Sequence, residues 1–321
     1  MELVFRADAS ISGGTGHAMR LYAIAQEAIS RNISSKFVGD IHEVNWLSEK
    51  IGKLGFSEVN NSTISNQTIK PQSILVLDSY SIPLDDPYIN SSKWFRRILI
   101  ADNLTPNYSC DLAIHTGIDT SWNNGRIKNL IGGPEYFPIR DEIKSEPNSA
   151  VDLLNDSIRI LVTGGGTDPF NFNFEIANIL MKLTTNFECI FISNQGDVIE
   201  NMDSRFKVMQ IGQSFEIELG TADIVFSTAS TSSLEILAAG KVLAVCSLVD
   251  NQEELYKALS RLGLAQPIGR LTRERKWHLL GPEIAAVISN PALRKTILQK
   301  SIGFIDGKGA GRIIDRVLET H

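Results

Sequence analysis

The sequence has little of what a metal or disulfide scaffold needs. Cys110, Cys189 and Cys246 are its three cysteines, widely spaced and odd in number, which gives neither a zinc spacing nor a disulfide framework and fits a reduced compartment. A basic excess is also missing. The 31 Lys and Arg face 37 Asp and Glu, a formal charge of -6, which argues against a general nucleic-acid binder. The longest apolar runs, such as Ala222–Phe226 and Leu243–Leu248, are strand-sized, far short of the ~20 residues that cross a bilayer. The opening MELVFRADAS lacks the basic start and long apolar core of a signal peptide. A cytoplasmic protein with no membrane span is expected. What is present is ordinary: 43% apolar and 21% charged residues, enough to bury real cores. At roughly 150 residues per domain, 321 residues suggest two domains.

Short apolar runs alternate with helix-period segments, the pattern of a parallel α/β sheet. Strands are expected at Glu2–Phe5, Ser35–Val38, Ser73–Leu77, Ile98–Ile100 and Leu112–Ile114. Ala18, Leu21, Tyr22, Ala25, Ala28 and Ile29 are spaced for one buried helix face, and a further helix is expected between His42 and Leu54. The polar stretch Ile143–Ser157 carries a Pro and precedes a fresh strand, so it reads as a linker. The expected domains are 1–147 and 148–321, with the last helix able to pack back on the first. The second half restarts the alternation. Strands are expected at Ile158–Thr163, Cys189–Ser193, Lys207–Ile211, Ile224–Phe226 and Leu243–Ser247. Helices are expected over Phe174–Leu183, Ser233–Ala239 and Glu253–Leu262, with a mainly helical tail from Arg275.

Open α/β sheets bind ligands beyond the carboxyl ends of their strands, so polar and Gly-rich residues just after strands carry the chemistry. Gly13-Gly14-Thr15-Gly16-His17 is the first such loop. Glycines let backbone approach a ligand, and the following helix offers N–H groups to an oxyanion. The spacing fits neither the dinucleotide fingerprint nor the Walker loop. His17 at the first helical turn can be a general base, since imidazole titrates near neutrality; a cap or an exposed histidine is the plain alternative. Gly164-Gly165-Gly166-Thr167-Asp168-Pro169 repeats the pattern, with Thr167 or Asp168 as the alternative helix cap. Thr228 to Glu235, reading TASTSSLE, offers hydroxyl donors to phosphate and a carboxylate one turn inside for two ribose hydroxyls. Capping by Ser232 or Ser233, with Glu235 merely favoured by the helix dipole, is the bland reading. Asp250-Asn251-Gln252 opens a helix with sugar-binding or capping side chains. Asp78-Ser79-Tyr80 and His115 end two other strands. No His, Asp or Glu cluster has metal spacing.

Taken in order, these motifs resemble a known family, the UDP-sugar hydrolases of pseudaminic acid biosynthesis. RADAS…GGTGHAMRLYAIAQ is similar to the family's RxDxS…GxGHxxR…A, DSY to DxY, GGGTDPFN to GGTDPxN, TASTSSLE to GGSTTWE, and VDNQ to ADNQ. The resemblance spans about Val4 to Gln252. The chain departs from it at Ala101-Asp102-Asn103-Leu104 and at His115.

The resemblance implies a GT-B fold, α/β, with two Rossmann-like domains facing each other across a cleft. The implied reaction is release of UDP from a UDP-linked amino/deoxy sugar by water, with inversion and with neither cofactor nor metal. Carried over, His17 would be the base, and Asp78 and Tyr80 would orient the sugar or the base. Arg6, Asp8, Gly14, Thr15 and Gly16 would contact substrate. Gly164, Gly165, Thr167, Thr228, Ser230, Thr231 and Ser232 would approach the diphosphate, Glu235 the ribose, and Asn251 and Gln252 the sugar. A GT-B glycosyltransferase would use the same site with a hydroxyl in place of water. A non-catalytic nucleotide-sugar binder is the third reading, and His17 speaks against it. A monomer is favoured, with a UDP-sugar as the partner and no nucleic acid.

Overall fold

The computed structural model describes residues 1–41, 43–56, 68–102, 104–119, 121–123, 125–143, 157–166, 168, 170–193, 196–212 and 215–319. The chain divides into two compact units, Met1–Asp141 with Asp306–His321, and Glu142–Ile305. The expected boundary after residue 147 and nearly all of the linker reading lie outside the described residues. The segment from Asp306 onward belongs to the first unit; the sequence reading counts it within 148–321 but has the last helix able to pack back on the first domain.

In the first unit, β1 (Glu2–Arg6), β2 (Ser35–Val38), β3 (Ser73–Leu77), β4 (Arg96–Ile100), β5 (Leu112–His115) and β6 (Leu130–Gly132) form a parallel sheet ordered β2-β1-β3-β4-β5-β6. Both faces are covered over the inner strands, which is why Leu3–Phe5, Ile74–Leu77 and Ile98–Ile100 read as unbroken apolar runs. Leu3, Phe5, Ile74, Val76, Ile98 and Ile100 face one core with Leu21, Ile24 and Ala25 of the helix Gly16–Ser30. Their neighbours Val4, Leu75, Leu77 and Leu99 face the other core with Ile82, Tyr88 and Trp94.

The closing helix Gly309–Leu318 adds Ile313, Ile314 and Val317 to the first of these cores. Arg96 Nη1 donates to the carbonyls of Arg316, Val317 and Glu319 at 3.2, 3.3 and 2.6 Å. A cation there satisfies end carbonyls and complements the helix dipole.

In the second unit, β7 (Ile158–Thr163), β8 (Phe187–Ile192), β9 (Phe206–Met209), β10 (Ile224–Thr228), β11 (Val242–Ser247), β12 (Gln266–Leu271) and β13 (Trp277–Leu279) are ordered β13-β12-β11-β10-β7-β8-β9. All pairs are parallel except β12 with β13. Phe172, Ile176 and Leu180 of the helix Phe172–Leu180 cover one face with Ile284, Val287 and Ile288 of the helix Gly281–Ser289.

Three strands escape the sequence reading. β6 is only Leu130–Gly132. β12 contains Pro267 and Gly269, which read as a turn. A Cβ on Gly269 would meet the His278 carbonyl oxygen at 2.1 Å, and its φ is +117°, so glycine is what lets β13 pair so closely. The tail expected to be mainly helical from Arg275 therefore first forms strand β13. It then gives the helices Gly281–Ser289, Pro291–Ser301 and Gly309–Leu318. The helices Gly196–Glu200 and Phe215–Thr221 are also additions to the reading.

Each sheet has a point where the strand order reverses, between β1 and β3 in the first and between β7 and β10 in the second. A crevice at the carboxyl ends of the flanking strands is where such sheets take ligands.

Candidate active site

At the first reversal point, β1 feeds the glycine loop and the helix that starts at Gly16, while β3 ends at Leu77 and delivers Asp78. His17 Nδ1 lies 2.5 Å from Asp78 Oδ1. Arg20, one turn along the same helix, clamps the same carboxylate. Its Nε donates to Oδ2 and its Nη2 to Oδ1, both at 2.8 Å. Nη2 also lies 3.0 Å from His17 Nδ1. The Asp78 side chain is 1% exposed and His17 is 17% exposed, so the carboxylate is enclosed while the imidazole retains access.

Burial alone would push the Asp78 carboxyl up, but the charges of Arg20 and His17 and their hydrogen bonds outweigh it and hold it below the usual carboxylate range. An ionised carboxylate at 2.5 Å from a ring nitrogen requires a proton between them, so Nδ1 is the N–H that donates. In the neutral ring, Nε2 then carries the lone pair. An arrangement of this kind can take a proton from a hydroxyl or a water.

Tyr80 meets the His17 ring edge to face, with centroids 4.2 Å apart, and its hydroxyl donates to Asp102 Oδ2. Burial first, and then the Asp102 charge, push the phenol far above its ordinary value, so it stays protonated. The other Asp102 oxygen accepts from the N–H groups of Leu104 and Thr105 at 3.0 and 3.2 Å, and from the Thr105 hydroxyl at 3.2 Å. Asp102 is thus a fixed acceptor at the end of β4. At the end of β5, His115 is buried and its Nδ1 lies 2.9 Å from the Ala101 carbonyl oxygen, which makes Nδ1 the donor. Burial pushes its imidazole below the ordinary value, with Arg20 adding to the effect against Asp102 and Asp119.

The structure therefore brings His17, Asp78 and Tyr80 together, as their shared place after strands suggests. It adds Arg20 and Asp102. The signal for Arg20 is its place as the Arg of the GHxxR motif, an i,i+3 spacing from His17 that puts both on one helix face. Asp102 sits directly after a strand, in the segment Ala101–Leu104.

Arg6 and Asp8 stand apart from this group. Arg6 is buried and donates to Asp8, whose Oδ1 also accepts from the Asp40 N–H at 2.7 Å. The pair ties the end of β1 to the end of β2. In the glycine loop, the Gly14 N–H donates to the Ser10 carbonyl at 2.9 Å. Thr15 is the helix N-cap residue and makes no side-chain cap bond, and Gly16 opens the helix.

In the second unit, the loops after β7, β10 and β11 leave three adjacent parallel strands at the same end. Gly164, Gly165, Thr228, Ser230, Thr231, Ser232, Asn251 and Gln252 all lie there; Thr167 and Pro169 lie outside the described residues. Gly165 has φ +91°, a conformation that side-chain-bearing residues resist. Asp168 serves the fold: its carboxylate accepts from the N–H groups of Phe172 and Asn173 at 2.8 and 3.2 Å, while Asn171 is the formal N-cap with φ +58°. A Cβ on Gly164 would strike that carboxylate at 2.2 Å.

At the next loop Ser230, and neither Ser232 nor Ser233, is the N-cap residue. The Thr228 hydroxyl donates to Ser230 Oγ at 3.2 Å, and Ser233 Oγ donates to the Ser230 carbonyl at 2.6 Å. Thr231 and Ser232 are half-buried in the first turn and Glu235 is 4% exposed. Gln252 Oε1 accepts from the Leu248 N–H at 2.8 Å, shaping the loop, while Asn251 is exposed. Among the described residues no group of three His, Cys, Asp or Glu side chains could hold a metal ion, and no helix is long and apolar enough to cross a membrane.

No family model and no curated protein matches the chain. Solved structures do. MurG of Acinetobacter baumannii is 9% identical with a TM-score of 0.67 over 100% of both chains. MnaA of S. aureus, solved with UDP, is 11% identical with a TM-score of 0.67 over 99% of this chain and 96% of that one. The calicheamicin glycosyltransferase CalG4 is 13% identical with a TM-score of 0.64 over 98% of this chain and 97% of that one. At such identities the likeness defines the fold, and the fold is GT-B, built from two Rossmann-like α/β domains.

Proposed function

We propose that this protein is an enzyme that cleaves the anomeric C–O bond of a UDP-sugar, with His17 as its general base. The observation that carries the reading is the Asp78–His17 contact at 2.5 Å, which directs the basic nitrogen away from Asp78 and toward a reactant. The attacking O–H passes its proton to Nε2 of His17. Its oxygen bonds the anomeric carbon, and the electron pair of the breaking C–O bond leaves with UDP. Growing charge on the diphosphate needs preorganised donors. Within the second unit, the glycine backbone around Gly164 and Gly165 and the hydroxyls of Thr228, Ser230, Thr231 and Ser232 are donors of the kind a diphosphate needs, and Glu235 is a carboxylate of the kind a ribose needs. Tyr80, fixed by Asp102, edges the imidazole and offers a wall against which a sugar ring can rest.

Two acceptors fit this base. Water makes the enzyme a hydrolase, in keeping with the ordered motif set from RADAS to VDNQ. A hydroxyl makes it a glycosyltransferase. The structural neighbours support transfer better, because among them stand CalG4 and the glycotransferase of kitacinnamycin, and none of those reported is a hydrolase. Incubation with a panel of UDP-sugars, with and without acceptor alcohols, decides between them. UDP released without acceptor marks hydrolysis, and UDP released only with acceptor marks transfer. No UDP release from any pair, together with no UDP binding, would sink the reading.

A further inference from the structure

The Arg20 side chain is 14% exposed and spends two of its nitrogens on Asp78, while its Nη2 lies 3.0 Å from His17 Nδ1. Three groups thus share one small volume: a carboxylate, a guanidinium and an imidazole. Without Arg20, an enclosed carboxylate would bear on the imidazole alone, and its charge would favour the imidazolium, which cannot accept a proton. With Arg20, the carboxylate still takes the Nδ1 proton, but its charge is neutralised. We propose that Arg20 is a charge-compensating positioning residue that keeps His17 neutral while Asp78 fixes its tautomer. This rests on the reading of His17 as base.

The other groups around His17 leave this balance in the hands of Arg20. On its own helix Arg20 is the neighbour one turn along. From the loop after β3 come Asp78 and the Tyr80 phenol. After β4, Asp102 is engaged by Tyr80 and Thr105. At the end of β5, His115 donates to the Ala101 carbonyl. On the β1 side, Arg6 and Asp8 pair with each other. Arg20 is itself held protonated: burial pulls its guanidinium down, but Asp78 more than restores it.

The test reads His17 directly, by NMR of the imidazole nitrogens in the full chain without substrate, its signals assigned by their loss in His17→Asn. Wild type should show Nδ1 protonated and Nε2 bare in the neutral ring. Arg20→Gln should raise the titration midpoint of His17 by about one pH unit or more, in the range typical of a charge at this distance. Arg20→Lys should move it much less, and Asp78→Asn should move it the opposite way. If Arg20→Gln fails to fold, Arg20→Met, which keeps an apolar stem and also removes the charge, carries the test. A midpoint unchanged in whichever neutral Arg20 variant folds, or a neutral ring with Nε2 protonated, would overturn the proposal. The acid limb of the UDP-release rate should follow the same shifts. Shifted midpoints with an unshifted limb would leave the Arg20 assignment standing and remove His17 as the base; midpoints and limb both unshifted would remove Arg20 alone.

Discussion

The carboxyl ends of the two sheets are built from different chemistry. In the first unit the loops deliver a network of charges: Asp78 held by Arg20 and His17, and Tyr80 held by Asp102. In the second unit the corresponding loops offer glycine backbone, hydroxyls and one buried acid, Glu235. The first arrangement suits moving a proton, which needs a few groups locked in one geometry. The second suits holding an anion, which needs many neutral donors, and the Asp168 carboxylate there is already taken up by the N–H groups of Phe172 and Asn173. On the proposed reading, one strand–loop–helix plan serves as a proton site or as an anion site according to which side chains follow the strand.

The sharpest way to break this comparison is to remove the charge at the centre of the first network. Asp78→Ala leaves the Arg20 guanidinium enclosed without its counter-charge, and breaking a buried pair in this way costs about 3–5 kcal/mol. The melting temperature at neutral pH should fall accordingly. The sign with pH follows from the lowered carboxyl. A depressed folded value contributes stability that is fully present above the unfolded value of about 3.9 and is lost as the pH falls through the folded one. The gap between wild type and variant should therefore be full near neutrality and narrow below about pH 4. A gap that stays constant into acid would show that Asp78 acts through packing and not through its charge.

His17→Asn separates the two regions by function. UDP release should fall by at least about a hundredfold, the scale of lost general-base catalysis, while the UDP dissociation constant should hardly change. The acid limb of the wild-type rate should vanish with it. Near-normal turnover in the variant would remove the proton site from the first unit.

Glu235→Ala should do the reverse. Charge-assisted hydrogen bonds from two ribose hydroxyls contribute about 1.5–3 kcal/mol, so UDP should bind at least about tenfold more weakly, as calorimetry would read it. An unchanged affinity would reduce Glu235 to a buried member of its helix.

Much of this contrast is legible in the sequence, for a physical reason. Strands buried on both faces must be nearly all apolar, so Ser73–Leu77 stands out at its full length, and Ile158–Thr163 shows through its buried apolar run Ile160–Val162. Loops after such strands are where glycine and polar residues cluster, so both glycine loops, DSY and TASTSSLE can be found without a structure. Pairing cannot. Arg20 and Asp78 are 58 positions apart, and Tyr80 and Asp102 are 22 apart, so their bonds depend on strand order, which no local pattern encodes. β12 was hidden because Pro267 and Gly269 carry turn signals inside a strand whose partner needs the missing Cβ. The helix caps were legible in part: Asp168, which the sequence offers as a cap, does accept from the N–H groups of Phe172 and Asn173, whereas the helix after β10 takes Ser230 and not Ser232 or Ser233 as its N-cap residue, a choice among neighbouring hydroxyls that no local pattern decides.

The smallest expected effect is that of a chelator, and it tests the anion site alone. A diphosphate can be held by a divalent cation, which needs oxygen ligands and above all carboxylates, or by N–H and hydroxyl donors. The loops after β7 and β10 carry Gly164, Gly165, Ser230, Thr231 and Ser232. The one carboxylate at their front, Asp168, is turned to the N–H groups of Phe172 and Asn173. Asp85 and Asp86 lie in the first unit, where Asp86 Oδ1 accepts from the N–H groups of Tyr88 and Ile89 at 2.9 and 3.0 Å. The donor set at the anion site is thus of the second kind. UDP affinity and the rate of UDP release should both survive excess EDTA unchanged. Loss of UDP binding on chelation, restored by magnesium or manganese, would place a cation among these loops and undo the division between a charged proton site and a neutral anion site.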